Sequence, residues 1–150
     1  MQRFNSWQSY RQVATQTAPP GQLILMLYDG TLRFLERALL GFDLKDPLEF
    51  NQTINNNLLR AQAIINELNV SLDMERGGAF SANMRRLYDY LDRRLQESNA
   101  RKDQAAVQEV IRRLTVVRDA WSQMLVSEGS SPGAPGARVS QPGETIFAQG

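Results

Sequence analysis

The chain has 150 residues, 42% of them hydrophobic, and a net charge of +1 from 17 Lys and Arg against 16 Asp and Glu. This length favours one domain with its own core, and the small charge excludes a strong general attraction to nucleic acid or anionic lipid. There is no Cys and no His, which excludes disulfides, thiol nucleophiles, imidazole bases and zinc sites with sulfur or nitrogen ligands, and fits a cytosolic protein. We expect neither a secretory signal nor a membrane insertion, because no segment has the required apolar run.

The N-terminal segment, residues 1–18, is predicted to be a short amphipathic arm. Phe4, Trp7, Tyr10 and Val13 follow one another at intervals of three, which places them on one face of a helix. Such a face should lie in a groove of the same protein or on a partner. Two interpretations remain open: a displaceable arm that covers a binding groove, with Tyr10 and Val13 in contact, or a permanent fifth packing element.

Residues 19–126 are predicted to form four helices, because apolar residues recur there at spacings of three and four. The short connections leave no length for a crossover, so the predicted fold is all-α, an antiparallel up-down-up-down four-helix bundle. The predicted core residues are Leu25, Tyr28, Leu32, Leu35, Leu39, Ile54, Leu58, Ala61, Ile65, Leu68, Leu72, Phe80, Met84, Leu87, Leu91, Leu95, Val107, Val110, Leu114, Val117, Trp121 and Met124.

Residues that typically start or end helices stand at the predicted helix boundaries. Pro20 suits a first helical position, and Asp46, which precedes another proline, can accept hydrogen bonds from free amides. Gly77 and the glycine after it mark the second gap, while residues 99–103 form the third, with Asp103 as the expected N-cap of the last helix.

The first helix is more apolar than one buried stripe requires. Its second stripe consists of Ile24, Leu27, Thr31, Phe34 and Ala38. A non-polar arc of this width indicates either a groove or a helix packed between two neighbours, and the pattern does not separate them. For the groove, Ile24, Leu27 and Phe34, with Ile64 on the second helix, are the predicted partner-binding residues.

The third helix is rich in charge of both signs. Its arginines alternate with acids three and four residues away, which favours a salt-bridged, solvated face over a phosphate-binding one. We therefore expect no nucleic-acid partner. The acids lack a cleft signal or a metal-ligand pattern, so we expect no enzyme activity, no cofactor and no metal. The residues concerned are Arg85, Arg86, Asp89, Asp92, Arg93, Arg94 and Glu97.

The last segment, residues 127–150, differs in composition from everything before it. It holds five of the ten Gly and three of the six Pro, interleaved with Ser and Ala. Such a composition cannot bury enough apolar surface to fold, so a disordered tail is predicted.

Several stretches resemble the FliS family of flagellin-specific export chaperones. The run from Thr17 to Leu35, which contains Pro-Pro-Gly-Gln-Leu-Ile-Leu-Met-Leu-Tyr-Asp-Gly, is similar to the first-helix signature of that family. Residues 61–73, 75–78, 87–95 and 118–121 agree in order and spacing, so that the resemblance covers roughly residues 10–125. Two features depart from the pattern: Pro19 stands where Ser is common, and the Gly/Pro-rich tail has no counterpart.

The resemblance implies a bundle in the bacterial cytosol that binds the C-terminal segment of flagellin as helices in apolar grooves. This would prevent premature polymerisation and keep flagellin competent for type III export without a cofactor. It also implies that the region around Tyr10 and Val13 can occupy part of the site in the free protein. Export-gate or regulatory proteins are further candidate partners, and the free protein is expected to be a monomer or weak homodimer. The alternative function is a generic self-associating bundle that uses the same apolar face.

Overall fold

A computed structural model describes residues 19–129. The predictions for the arm, including Tyr10 and Val13, and for the tail after residue 129 lie outside the described residues. Four helices make up the described chain: α1 (Pro20–Gly41), α2 (Pro47–Val70), α3 (Gly78–Arg101) and α4 (Gln104–Gly129). Residues 19–129 contain no strand, which confirms the all-α class.

The helix starts follow the predicted chemistry. Pro20 is the first residue of α1. The carboxylate of Asp46 accepts a hydrogen bond from the Glu49 amide at 3.0 Å, and that of Asp103 accepts one from the Ala105 amide, also at 3.0 Å. These side chains satisfy amides that have no partner inside the helix, so α2 and α4 begin where capping predicts.

The third connection is shorter than predicted. Residues 99–101 belong to α3, and only Lys102 and Asp103 separate it from α4. Lys102 takes the left-handed conformation, with φ 53° and ψ 54°. The hydroxyl of Ser98 donates to the Asp103 carbonyl at 2.7 Å. The polar residues of this segment, which in the sequence indicate a loop, therefore form the C-terminal end of α3.

The four helices are arranged as a square in which α1 and α3 each pack against both α2 and α4. Contacts run in opposite chain directions along each packed pair. On α1 and α4, for example, Gly21 contacts Trp121 whereas Asp29 contacts Arg118. The structure therefore confirms the antiparallel four-helix bundle.

The interior contains most of the predicted stripes, but α3 is turned slightly from the expected orientation. Tyr88 is buried, whereas the predicted Leu87 is only partly buried. Ser81 and Ser98 are buried on the same side as Tyr88. The buried side of α3 thus includes hydroxyls that an apolar pattern does not detect.

A polar ladder joins α2 to α3. Its rungs are seven residues apart on both helices, the spacing that returns a position to the same side of a packed helix pair. They join Asn99 Nδ2 to Asn55 Oδ1 (2.8 Å), Gln62 Nε2 to Asp92 Oδ1 (3.0 Å) and Arg85 Nε to Asn69 Oδ1 (3.1 Å). Sliding one helix along the other would break all three rungs together, so the ladder specifies the register of the pair.

Candidate partner-binding site

The seam between α1 and α2 begins with a close approach of the two backbones. A Cβ atom on Gly41 would lie 3.0 Å from side-chain carbons of both Thr53 and Ile54. Two further small residues, Thr31 and Ala38, lie on the same side of α1 by their spacing and are fully buried. Small side chains let the helices approach, and they leave little room between them.

Phe34 lies on this seam with two cationic neighbours. The guanidinium carbons of Arg37 on α1 and Arg60 on α2 lie 5.6 and 5.7 Å from the centroid of its ring. The ring packs against the core and is only partly buried. The seam therefore offers an apolar surface with a positively charged rim, a combination that suits an apolar side chain accompanied by a carboxylate.

The four residues predicted to bind a partner occupy different depths. Leu27 and Ile64 are 5% and 0% exposed and belong to the core cluster. Ile24 and Phe34 are partly buried against it. A partner can reach the first two only if whatever covers them moves, so the groove stays a prediction. The sequence interpretation did not include Arg37 or Arg60 in the site, although Arg37 follows Phe34 by one helical turn.

Burial is broader on α1 and α2 than on α3 and α4. Besides its core stripe, α2 buries Asn57 and Ile64, and α1 buries Leu27, Thr31 and Ala38. The amide of Asn57 donates to the Thr53 carbonyl at 2.8 Å, which satisfies it within the helix. Both helices thus bury residues beyond their core stripes, and Phe34 lies beside Arg60, and Gly41 beside Thr53, where α1 packs on α2.

Residues in the stretches that carry the family resemblance contact one another across the bundle. The indole of Trp121 donates to the Gly21 carbonyl at 2.8 Å, and Arg118 Nε donates to Asp29 Oδ1 at the same distance. Both contacts join α4 to α1. One side of α1 is therefore held against α4, and the α1–α2 seam lies on another side of the same helix.

Glu109 organises the charges between α3 and α4. Its carboxylate accepts hydrogen bonds from Tyr90 Oη at 2.6 Å, Arg113 Nε at 2.8 Å and Arg94 Nε at 2.9 Å. These bonds, that from Tyr90 first, lower the pKa of Glu109 to about 2. Arg94 also pairs with Glu97 at 3.1 Å. At Arg94 the charged face of α3 is therefore salt-bridged, as its sequence indicates.

Acidic side chains in residues 19–129 form no cluster able to hold a metal ion. Two of them, Asp29 and Glu109, pair with arginines. None of the four helices combines the length and apolarity needed to cross a membrane.

This architecture defines an antiparallel four-helix-bundle protein whose candidate site is an interhelical seam. Residues 3–128 match the family described as flagellar protein FliS, and the chain belongs to that family. It is 41% identical over 124 residues to the flagellar secretion chaperone FliS of Bacillus subtilis (strain 168), covering 83% of this chain and 89% of that protein. It is 37% identical over 120 residues to the flagellar secretion chaperone FliS of Salmonella typhimurium, covering 77% and 87%. The resemblance noted in the sequence is thereby confirmed.

Proposed function

We propose that this chain is a cytoplasmic flagellar secretion chaperone that binds the C-terminal helical segment of flagellin. Binding would mask a segment that otherwise polymerises and would keep the subunit competent for type III export. Family membership supports the chaperone role, and the curated relatives carry that name. The observation that carries the binding site is the partly buried Phe34 ring at the α1–α2 seam, with Arg37 and Arg60 beside it.

The cargo contact is proposed to centre on Phe34. An amphipathic helix laid along the seam would place apolar side chains against Ile24 and Phe34, with Leu27 and Ile64 reached when the seam opens. Arg37 and Arg60 would then face the polar edge of the bound helix. The charge of this rim favours a carboxylate on the cargo near the Phe34 contact.

The N-terminal arm is proposed to cover the seam in the free protein. Leu27 and Ile64 are large aliphatic residues, and an uncovered seam that exposed them would favour aggregation. A covering segment that must leave before cargo binds lowers the apparent affinity by the fraction of molecules in which it has left. Tyr10 and Val13 are the proposed contacts of this arm. Export-gate and regulatory proteins are further proposed partners.

Calorimetric titration of the full chain with the C-terminal segment of its cognate flagellin tests the proposal. We expect binding at micromolar concentration or tighter. Phe34→Ala should weaken binding at least tenfold, because buried aromatic anchors contribute about 2 kcal/mol or more. Arg37→Glu should also weaken binding, whereas Arg112→Glu, an equal charge change at an exposed position of α4, should leave it within about twofold.

The result that overturns the proposal is an absence of binding by the folded natural chain at micromolar concentration. Deletion of residues 1–15 tests the arm in the same titration. Tighter or faster binding supports a displaceable cover. A truncated chain that no longer folds instead identifies a permanent packing element.

A further inference from the structure

The α1–α2 seam carries positive charge around Phe34 that the neighbouring helix surface does not balance. The guanidinium groups of Arg37 and Arg60 lie beside the ring, and we call these three residues the Phe34 rim. Arg37 is exposed and forms no ion pair among the described residues. On α2, Arg60 is the only charged residue between Glu49 and Glu67. A segment that binds the rim therefore gains from a carboxylate next to its apolar side chains.

The two acids of α1 do not neutralise the rim. Glu36 follows Phe34 by two residues, which turns it about 160° around the helix axis. Asp29 pairs with Arg118 on α4 at 2.8 Å. Both acids thus lie on other sides of α1, and the middle of the seam has two cations without a carboxylate of its own.

The N-terminal arm does not supply the missing charge. Residues 1–18 contain Arg3 and Arg11 but neither Asp nor Glu, so the arm brings further cations to a positive surface. Tyr10, the more distant of its two proposed contacts, precedes α1 by ten residues, about 15 Å in a helical segment, whereas the Phe34 rim lies about 21 Å along α1. The proposed arm contacts therefore fit the part of the seam nearer the start of α1.

The tail contains the matching chemistry in one short stretch. Glu144 is the only acid in residues 130–150, and Ile146 and Phe147 follow it within three residues. In an extended segment Ile146 lies on the same side as Glu144, and in a helical turn Phe147 does. Either conformation presents a carboxylate beside a large apolar side chain, which is the combination that suits the Phe34 rim.

The tail is long enough to reach the rim. Arg118 and Asp29 are in contact and therefore mark one level of the bundle. Gly129 lies eleven residues beyond Arg118 on α4, and the Phe34 rim begins five residues beyond Asp29 on α1, in the opposite direction. At about 1.5 Å per residue the two are about 24 Å apart along the bundle axis, and crossing α1 adds about 10 Å. Glu144 follows Gly129 by fifteen residues, and fifteen extended residues span up to about 50 Å, which exceeds this path.

We propose that residues 144–147 bind the Phe34 rim of their own chain when no cargo is present, with Ile146 and Phe147 against the ring and the Glu144 carboxylate between the two guanidinium groups. The contact itself does not depend on flagellin, whereas its displacement by cargo rests on the proposed function. Few atoms take part, so the segment binds weakly as a free peptide, but tethering supplies an effective concentration of the order of millimolar. The tail is thus a built-in competitor of a cargo helix that has the same chemistry.

A spin label in the tail tests the contact in the full chain by nuclear magnetic resonance. The natural chain has no Cys, so Ala148→Cys provides a single attachment site. Amide signals of α1 and α2 around the Phe34 rim should broaden. Signals around Val116, which is 70% exposed on α4 and about 20 Å from Gly129, should broaden much less. A spin-labelled chain mixed with a separate, unlabelled chain that carries nitrogen-15 should broaden no signal, because the contact lies within one molecule.

Two results of this measurement overturn the proposal. One is equal broadening around Val116 and around the Phe34 rim, since this indicates a tail without a preferred site. The other is broadening in the mixed sample, since this indicates a contact between copies.

Charge exchange tests the role of Glu144. Glu144→Arg should at least halve the broadening at the Phe34 rim, and Arg37→Glu should do the same. Combining the two changes restores a pair of opposite charges and should return the broadening toward its natural value. Arg112→Glu, at an exposed position of α4, is the matched control and should restore nothing when combined with Glu144→Arg. If the double change restores no more than this control, the proposed carboxylate contact is wrong.

Titration with the flagellin C-terminal segment tests the competition. Phe147→Ser in the full chain should tighten binding about two- to tenfold, because the rim is then open in a larger fraction of molecules. Ser140→Ala, in the same tail, should leave the affinity unchanged. Equal affinities of the natural and Phe147→Ser chains overturn the competition. A natural chain that binds no flagellin segment overturns the proposed function instead, and the spin-label measurement still decides the tail contact.

Discussion

The hydroxyls of Tyr28 on α1 and Tyr88 on α3 lie 2.6 Å apart and form a hydrogen bond across the diagonal of the bundle. Both side chains are only 2% exposed. Burial raises the pKa of Tyr28 to about 12 and raises that of Tyr88 as well, the latter with a contribution from Tyr28. Both hydroxyls therefore stay protonated at physiological pH, and their bond supplies one polar contact inside an apolar core.

Replacing one of the two tyrosines should lower the free energy of unfolding by more than the hydrogen bond itself contributes. Tyr28→Phe leaves the Tyr88 hydroxyl buried without this partner, and we expect a loss of about 1–3 kcal/mol in the free energy of unfolding. Tyr28→Phe combined with Tyr88→Phe should cost less than the sum of the single changes, since no orphaned hydroxyl remains. Urea unfolding of the four proteins measures this coupling, and strictly additive losses would contradict it.

Glu109 should make stability dependent on acid pH. Its folded pKa of about 2 lies below the ordinary value of 4.5, so the unfolded chain binds a proton first as pH falls. The stabilisation is fully present above about pH 4.5 and is lost as the pH falls toward the folded pKa. Glu109→Gln removes this dependence. Thermal unfolding of both proteins from pH 6 to pH 2 should show a difference that narrows below pH 4.5, and a constant difference would exclude the effect.

Gly41→Ala should destabilise the bundle although alanine favours helices. The added Cβ meets Thr53 and Ile54 side chains at 3.0 Å, and separating α1 from α2 to relieve this contact costs about 1–3 kcal/mol. Gly129→Ala is the control, because nothing lies within 4 Å of its added Cβ. Denaturant midpoints should fall for the first variant and stay equal or rise for the second. The opposite order would show that the seam can widen freely.

The α2–α3 ladder predicts a difference between two glutamines on one helix. Gln62 donates to Asp92 Oδ1 at 3.0 Å, so Gln62→Ala should cost about 0.5–1.5 kcal/mol. Gln52→Ala removes an exposed side chain from the same helix and should change stability by less than about 0.5 kcal/mol. Chemical unfolding compares the two variants directly. Equal effects would mean that the rung contributes nothing measurable.

Much of the fold could be predicted from the sequence because helix signals are local. Apolar spacing reports which side of a helix is buried, and Asp46 and Asp103 cap the residues that follow them within three positions. The end of α3 could not be predicted in this way. It depends on Ser98 bonding across the turn to Asp103, and the same polar residues are common in loops.

The candidate site was less predictable, for a physical reason. Hydrophobicity indicates that Leu27 and Ile64 avoid water, but not whether another part of the same chain or a partner covers them. Arg60 approaches Phe34 only through the packing of α1 on α2, which no short motif encodes. Tyr88 was missed in the core because its partner, Tyr28, lies 60 residues away.

The hydrogen bond from Trp121 to Gly21 joins residues 100 positions apart, whereas the other three packed helix pairs are consecutive in the chain. During synthesis, the hairpins can form one after another as the helices leave the ribosome. The side of α1 that receives α4 must wait for the last helix. Until translation has passed Trp121, this side of α1 therefore stays exposed on the nascent chain. A stalled or truncated product would expose the same apolar surface and would be prone to aggregate there.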